Sequence, residues 1–455
     1  MVKTIISVDP KKLPWEQGQD GETPLHNRWH PSIPPVATVE EGQVFRVECV
    51  DWTGGQIKND DNSDDVKNVD LSQVHYLSGP IAIPTAQPGD LLKVELLNLG
   101  TLDGDEWGFT GTFAKENGGG FLTDHYPCAS KAIWDLDGIY CSSRHIPGVK
   151  FAGLIHPGLI GTAPSPELLQ MWNEREAKLC SEEGTPEEKT LCGCLSTRPL
   201  ACLPEPKGAM LGKLGHFKDK AGNDETWDTI AQEAARTVPG RENGGNCDIK
   251  NLSRGSTVYF PVFVPGANLS MGDMHFSQGD GEVSFCGAIE MSGFLDLRCT
   301  VIKDGMQMLP VVGPSPLSVN PVFEIGPLEP RYSEWLVFEG VSVDEKGVQH
   351  YLDATIAYKR AVLNCIKYLA KFGYTEQQVY LMLSCIPCEG RISGIVDVPN
   401  ACATLAIPLA IFDRDVRPPM SMDKLEQLAN GIRVLKQDVC LSTEGGAVPN
   451  DPRLG

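Results

Sequence analysis

Between residues 33 and 115 short apolar runs alternate with turn formers. VFRVECV at 44–50 follows a Glu-Gly turn and LLKVELL at 91–97 follows a Pro-Gly turn. Both alternate apolar and polar positions, the period of a strand with one buried face. GGQIKNDDNSDDVKNVD at 54–70 lies between them, has no such period, and predicts an exposed loop able to fold over a site. Residues 256–264 and 282–304 are again strand-like, the second ending in FLDLRCTVI. Residues 116–165 are rich in Gly, Pro and His and give few element signals, and surface stretches of that length often carry function.

Helical spacing appears in four places. SPELLQMWNEREAKL at 165–179 starts at Ser165 or Pro166. In 349–372, Ala354, Ala357, Ala361, Cys365 and Tyr368 share a face, and Gly373 stands where a helix ends. Thr375 and Gln378 have capping-box spacing, and a last helix is expected from Ser421 to about Leu428. The expected fold is mainly β with peripheral helices, its catalytic body a β-sandwich or barrel, with an α+β arrangement also compatible. The expected segments are 1–165, a β-rich part of the body; 166–243, a helix and an insertion or lid; 244–415, the rest of the body with helices; and 416–455, a helix and extended tail.

Composition changes this picture little. The 455 residues are 41% hydrophobic, enough for a large core, and 47 Gly with 34 Pro suit many tight turns. A formal charge of -21 without a basic tract argues against nucleic acid as a partner. No apolar run approaches the roughly 18 residues of a membrane span, and the opening MVKTIISVDPKKLPWEQ lacks a signal-peptide pattern, so a cytoplasmic location and no membrane partner are expected. The 15 Cys are scattered, and most are expected as small buried side chains.

The densest chemistry lies in MGDMHFSQGDGEVSFCGAIE at 271–290. In a strand, Asp273 and His275 would face one side, as would Asp280 and Glu282, which could present carboxylates to a metal or a reacting water. The same Asp-Gly could equally make a solvent-facing turn. RENGGNCDIKNLSRGS at 241–256 places Asn243, Asn246, Cys247 and Asp248 beside paired glycines, which allow converging backbone N–H groups or an ordinary Asx turn. His26, His30, His125, His145 and His156 sit in Pro and Gly contexts that suit structural roles as well as ligation. Cys385-Ile-Pro-Cys388 has redox spacing in an unsuitable setting, and Cys180, Cys192, Cys194 and Cys202 are irregularly spaced zinc candidates. Cys247 or Cys286 could be a nucleophile given a base. Dinucleotide, Walker and nucleophile-elbow motifs are absent from the sequence.

NRWHPSIPP (27–35), DWTGGQIKNDDNSDD (51–65), HYLSGP (75–80), PGDLLKVELL (88–97), NGGGFLTDHYP (117–127), SRHIPGVKFAGLIHPGLIGTAPS (143–165), NGGNCDIKNLSRGS (243–256) and GDMHFSQGDGE (272–282) together resemble the acetamidase/formamidase family. GRISGIVDVPNACATLAIPLAIFD at 390–413 is similar to its formamidase branch, the fungal kind especially. The resemblance implies hydrolysis of formamide to formate and ammonia, other short aliphatic amides as poorer substrates, a mostly β fold and a homo-oligomer, trimeric or hexameric. It carries over onto Asp51, His75, Asp124, Asp248, Asp273, His275, Asp280, Glu282 and Glu290. The division of roles expected from it is a divalent metal, zinc, among Asp51, His75, Asp273 and His275; proton transfer and catalysis by Asp248, Asp280, Glu282 and Glu290; and substrate contacts from Asn246, Gln278 and Asp124. Two alternatives stand beside it: an amidase with Cys247 or Cys286 as nucleophile and His275 as base, and a non-enzymatic β-sandwich binding protein with a structural cation.

Overall fold

The computed structural model describes residues 2–17, 23–179, 203–210, 224–308, 313, 320–326, 332–434 and 440–441. Among these residues the strands form three sheets. The first runs Lys3–Ile6, Val44–Cys49, Gly293–Ile302, Leu91–Thr101, Thr257–Pro261, Val322–Glu324. The second runs Gly240–Arg241, Gly244–Asn246, His156–Gly161, Leu269–His275, Phe285–Met291, Trp107–Thr112, Ser130–Asp137, Tyr140–Ser143, Lys150–Ala152, with Leu77–Ala82 also paired to Leu269–His275. The small third sheet is Trp335–Val341, Cys402–Pro408, Glu389–Gly394.

The alternating stretches behave as their period requires. In Val44–Cys49 the side chains of Phe45, Val47 and Cys49 are buried and those between them are half-exposed. Phe45, Val47, Val94, Leu96, Phe260 and Leu297 from the first sheet share one core with Met271, Met274, Ile289 and Met291 from the second, so the two sheets form a sandwich. Each such side chain contributes about 1.5–3 kcal/mol by leaving water. Neither sheet closes on itself, which decides between the sandwich and the barrel. The run expected at 282–304 is two strands, because at Ser292 the chain crosses from the second sheet to the first. Gly293 permits the crossing: a Cβ there would lie 2.8 Å from the Gly100 carbonyl oxygen.

Segments 1–165 and 244–415 interleave strand by strand in both large sheets. Residues 116–165, which showed few element signals, hold Ser130–Asp137, Tyr140–Ser143, Lys150–Ala152 and His156–Gly161. His156–Gly161 is buried along its whole length and Ser130–Asp137 over its first five residues, so these two lack the polar alternation that marks a half-exposed strand. The helices fall near their expected places: Pro166–Leu179, Ala354–Ala370 capped by Asp353, Glu376–Cys385 with the Thr375–Gln378 capping box, and Met422–Val434. Glu376–Cys385 is not peripheral, however. Its residues from Gln377 onward are buried, with Gln377 donating to Ser130 Oγ and Ser384 Oγ accepting from the Ser284 N–H at 3.0 Å.

The acidic loop at 54–70 also departs from expectation. It contains the short helix Asp64–Asn68, and Ile57, Val66, Val69 and Leu71 are buried against Phe109, Phe113 and Ile133. Lys131, wholly buried on its strand, pins it: Nζ donates to the Lys58 carbonyl at 2.9 Å, Asp60 at 2.9 Å and Asp65 at 2.8 Å. One cation therefore gathers an acidic loop that would repel itself. Removing one partner of a buried pair costs about 3–5 kcal/mol, and partial exposure of Asp60 reduces this, so Lys131→Met should lower unfolding free energy by about 2–3 kcal/mol in denaturant titrations.

Candidate functional site

The His156–Gly161 and Leu269–His275 strands pair antiparallel, with His156 opposite His275 and Leu159 opposite Gly272. That register sets Gly158 against Asp273. Gly158 has to be glycine, since a Cβ would lie 2.6 Å from His275 Cε1 and 2.7 Å from Asp273 Oδ2. The two functional side chains fill the space above it. On the other flank, Phe285–Met291 places Glu290 opposite His275. The carbonyl oxygen of Gly158 also accepts from the N–H groups of Cys247 and Asp248, at 3.0 and 3.1 Å, which brings Asp248 to the same place.

Four carboxyl groups, from Asp248, Asp273, Glu282 and Glu290, thus surround one imidazole. Three of them sit on left-handed backbone: Asp248 at φ 43°, Asp273 at 55° and Glu282 at 42°. For non-glycine residues such conformations cost about 1–3 kcal/mol each and concentrate at functional sites. His275 Nε2 lies 3.2 Å from Asp273 Oδ1 and 3.1 Å from Glu290 Oε2. Its other nitrogen, Nδ1, is 3.0 Å from Gln278 Oε1 and 3.2 Å from His156 Nε2.

The electrostatics follow from crowding. Burial, then the charge of Asp273, pushes the Asp248 carboxyl up to about 8, and burial pushes Glu290 up to about 7. Burial and then Asp248 hold Glu282 well above the usual carboxylate range. Burial also acts on Asp273, but His275 outweighs it and keeps that carboxylate below its ordinary value. Burial disfavours the His275 imidazolium, yet Glu290 and Asp273 hold it well above the histidine norm. His156, buried and beside His275, is pushed down to about 3 and is neutral.

The donors suit a cation. Asp248, Asp273 and His275 each offer one atom, all within 4.8 Å of one another. Although His275 Nε2 and Glu290 Oε2 are close, neither has a hydrogen-bond partner of acceptable geometry, and both are buried. Two orphaned polar atoms amid an excess of carboxylates are what a bound cation would satisfy.

The structure separates the other expected residues. Asp248, Asp273, His275, Glu282 and Glu290 come together; His75 is near enough for the charge of Asp273 to act on it, and its ring lies 5.4 Å from that of Trp52, tilted by 49°. Asp51 points elsewhere: its oxygens accept from the Thr53 N–H, the Thr53 hydroxyl and the Gly55 N–H, so it shapes its own loop. Asp280 does not share a face with Glu282, because both lie in a turn rather than a strand. It pairs with Lys250 Nζ at 3.0 Å and accepts from the Gly390 N–H at 2.8 Å. Asp124 is exposed on the surface near Lys115. Gln278 has both ends of its amide engaged, with Nε2 donating to the Asp248 carbonyl and Oε1 facing the two histidines. Asn246 Nδ2 donates to the Val238 carbonyl at 3.0 Å, while Oδ1 is buried without a partner.

Neither cysteine is set up as a nucleophile. Cys247 donates to the Gly244 carbonyl at 3.2 Å and burial pushes its thiol up to about 12; burial and Glu290 push Cys286 well above its norm. Among the described residues no imidazole hydrogen-bonds either sulfur. Cys385 and Cys388 are free thiols, and the zinc candidates Cys180, Cys192, Cys194 and Cys202 lie outside the described residues. His26 bonds Ser270 Oγ and the Arg28 carbonyl, apart from His30, which faces Glu233.

Sequence reasoning missed His156 and Gly158 as parts of the site. Their only local signal was the IHPG tetrapeptide itself, in which a histidine two residues before a glycine shares its strand face. Overpacking at such a position costs about 1–3 kcal/mol. Gly158→Ala should lose stability in that range, and a crystal structure of the variant should show the His275 ring displaced.

Comparison with known proteins places these residues in a family context. A model of the Acetamidase/Formamidase family matches residues 7–414. A formamidase from Methylophilus methylotrophus is 55% identical over 418 residues, covering 92% of this chain and 95% of that one. An acetamidase from Mycolicibacterium smegmatis is 50% identical over 398 residues, 86% of this chain and 91% of that one. The solved structure of a gamma lactamase from Delftia acidovorans superposes with a TM-score of 0.82 at 51% identity, covering 92% of this chain and 95% of that one.

Proposed function

The chain belongs to the acetamidase/formamidase family, and from that premise we propose that it hydrolyses formamide to formate and ammonia at the cluster around His275. The single observation that carries this reading is the confinement of Asp248, Asp273 and His275, donor atoms within 4.8 Å, beside two further acids in a chain 55% identical to a formamidase. Those three residues would hold a divalent cation, and their imidazole and carboxylate donors suit zinc. Such a cation supplies Lewis acidity to a carbonyl oxygen and lowers the pKa of water.

The chain's own groups do the rest. Glu282 keeps part of its surface in contact with solvent, and its Oε1 accepts from the Gly287 N–H at 3.0 Å. A carboxyl whose hold on its proton is strengthened by burial and by Asp248 is a source of the proton that the leaving ammonia needs. Asp248 raises the pKa of Glu282, so the two carboxyl groups share the cost of ionising and favour keeping a proton between them. Glu290, pushed up to about 7, is poised to take a proton near neutrality. A small neutral amide needs little room, in keeping with a buried cluster.

Assay of ammonia release should show formamide hydrolysed faster than acetamide or a γ-lactam. Stripping the metal, verified by elemental analysis, should abolish turnover and zinc should restore it; Cys247→Ala and Cys286→Ala should remain active. Turnover by demonstrably metal-free protein would sink the cation, and loss in either cysteine variant alone would move the chemistry to that sulfur.

The proposal extends to assembly and place. Along the Glu389–Gly394 strand at the edge of the third sheet, and the loops beside it, Ile392, Val396, Val398 and Tyr351 are 62–76% exposed. Exposed apolar side chains at a sheet edge support a homo-oligomer, since monomers rarely leave such an edge uncovered, and the family resemblance is what favours a trimer or hexamer. Light scattering should give a multiple of the chain mass, and Ile392→Lys with Val396→Lys should reduce it. Among the described residues no helix is long and apolar enough to cross a membrane, and the cytoplasm is the proposed location.

A further inference from the structure

Asp248 and Glu282 meet at the cluster from two loops rather than from strands. One loop follows Gly244–Asn246 and the other follows Leu269–His275. Both acids sit on left-handed backbone, at φ 43° and 42°, and they are close enough for the charge of Asp248 to act on Glu282. Whenever both are ionised they push their loops apart. Gln278 ties the loops once, by donating from Nε2 to the Asp248 carbonyl. A second tie carries charge. Lys250 lies two residues after Asp248, Asp280 lies two residues before Glu282, and Lys250 Nζ is 3.0 Å from Asp280 Oδ1.

At equal separation and dielectric an opposite pair attracts as strongly as a like pair repels. The ion pair thus draws the loops together beside the point where the acids drive them apart. Neither partner has slack. Lys250 is buried, and its Nζ also donates to the Cys388 carbonyl at 2.6 Å. Asp280 Oδ2 accepts from the Gly390 N–H at 2.8 Å, its carbonyl accepts from the Tyr358 hydroxyl, and its own N–H donates to the Cys388 carbonyl at 3.3 Å. Cys388 and Gly390 follow the buried Glu376–Cys385 helix, so both loops are anchored to one segment. Two residues of chain span at most about 7 Å, so movement at either end of the pair reaches the acid beside it.

We propose that Lys250 and Asp280 are positioning residues whose ion pair sets the distance between the Asp248 and Glu282 carboxyl groups, and so the aim of Glu282 at the leaving nitrogen of the amide. This rests on the reading of the cluster as the amide-hydrolysing site. The clamp on the two loops follows from the contacts alone. Asp280, expected from sequence to be catalytic, acts here through Glu282.

The test is the steady-state kinetics of formamide hydrolysis by the purified full-length chain, expressed per folded molecule. Lys250→Met keeps the stem and removes the charge. Asp280→Asn places one donor and one acceptor where two acceptors now meet Lys250 Nζ and the Gly390 N–H, so one of those contacts must break. Each variant should lower kcat about 10–100-fold with KM within about threefold, as a misplacement of about 1 Å does. The double variant should lose no more than the worse single one, because its second change removes a contact already broken. As a control, Arg46→Met breaks the 2.7 Å ion pair with Asp296 in the first sheet and should keep kcat within about twofold. Equal kcat in wild type and Asp280→Asn would overturn the proposal, as would additive losses in the double variant or an equal loss in Arg46→Met. If Lys250→Met does not fold, Asp280→Asn decides. Crystal structures of wild type and Asp280→Asn give a readout free of turnover: the Asp248 and Glu282 carboxyl groups should separate by about 1 Å in the variant, and an unchanged separation would overturn the clamp. A wild type that leaves formamide intact would instead remove the formamidase reading, and the same pair of structures would then judge the clamp.

Discussion

The structure is organised by the repulsion among four acids confined around one imidazole. Two like charges about 4 Å apart repel by roughly 4 kcal/mol at an effective dielectric of 20. With Asp248, Asp273, Glu282 and Glu290 all ionised, a single His275 cation would leave an uncompensated buried charge. Asp273, beside the imidazole, keeps its charge most easily, while Asp248, Glu282 and Glu290 are pushed toward their protonated forms. The cluster therefore needs protons or another cation, and it is poised to exchange one for the other. A scaffold that enforces this must be stiff, because any slack would let the carboxylates swing out to water.

That stiffness comes from pieces far apart in the chain. Gly158 supplies the floor, and the strand carrying His156 is fixed by pairing with Leu269–His275. The turn that carries Glu282 is braced from the other side by the buried Glu376–Cys385 helix and the segment after it. Gly279 donates to the Ser384 carbonyl at 2.8 Å, Ser284 Oγ meets Ser384 Oγ at 2.9 Å, and Lys250 Nζ joins the Cys388 carbonyl at 2.6 Å to Asp280 at 3.0 Å. A Cβ on Gly287 would strike Glu282 Cγ at 2.8 Å as well as Ser384, so strand, turn and helix meet without a gap. Asp280, set apart from the acids, does positional work by tying this turn to Gly390 of the third sheet.

How far the sequence disclosed this depends on whether the cause is local. Alternation at VFRVECV and LLKVELL and the Thr375–Gln378 box act within a few residues, and the structure follows them. Period two brought Asp273 and His275 together, but it omitted the left-handed Asp273 that lets both reach the space above Gly158. The same rule paired Asp280 with Glu282 wrongly, since a turn has no alternating faces. Strands buried on both sides, such as His156–Gly161, carry no polar period to detect. The contact of His156 with His275 spans 119 residues, and the Lys131 clamp on Asp60 spans 71. Such partners are chosen by sheet register, which one sequence leaves open. Asp51 shows the converse: a short, rigid acid in a Gly-rich motif has the right composition for a ligand, and its oxygens are spent on the loop's own N–H groups.

The sign of the cluster also bears on which side of the reaction it favours. A neutral amide carries no net charge, so the carboxylates act only on its dipole, over a short range, and entry depends chiefly on size and hydrogen bonding. Hydrolysis replaces it with formate, an anion, beside acids that already resist ionisation for want of compensation. Each carboxylate that regains its charge during turnover raises the potential against formate, at roughly 332/(ε·r) kcal/mol for a distance r in Å. The charge on the whole chain, -21, has the same sign. The crowding that prepares the acids to hold and pass protons therefore also repels the anionic product, to the extent that a cation held by Asp248, Asp273 and His275 does not offset it.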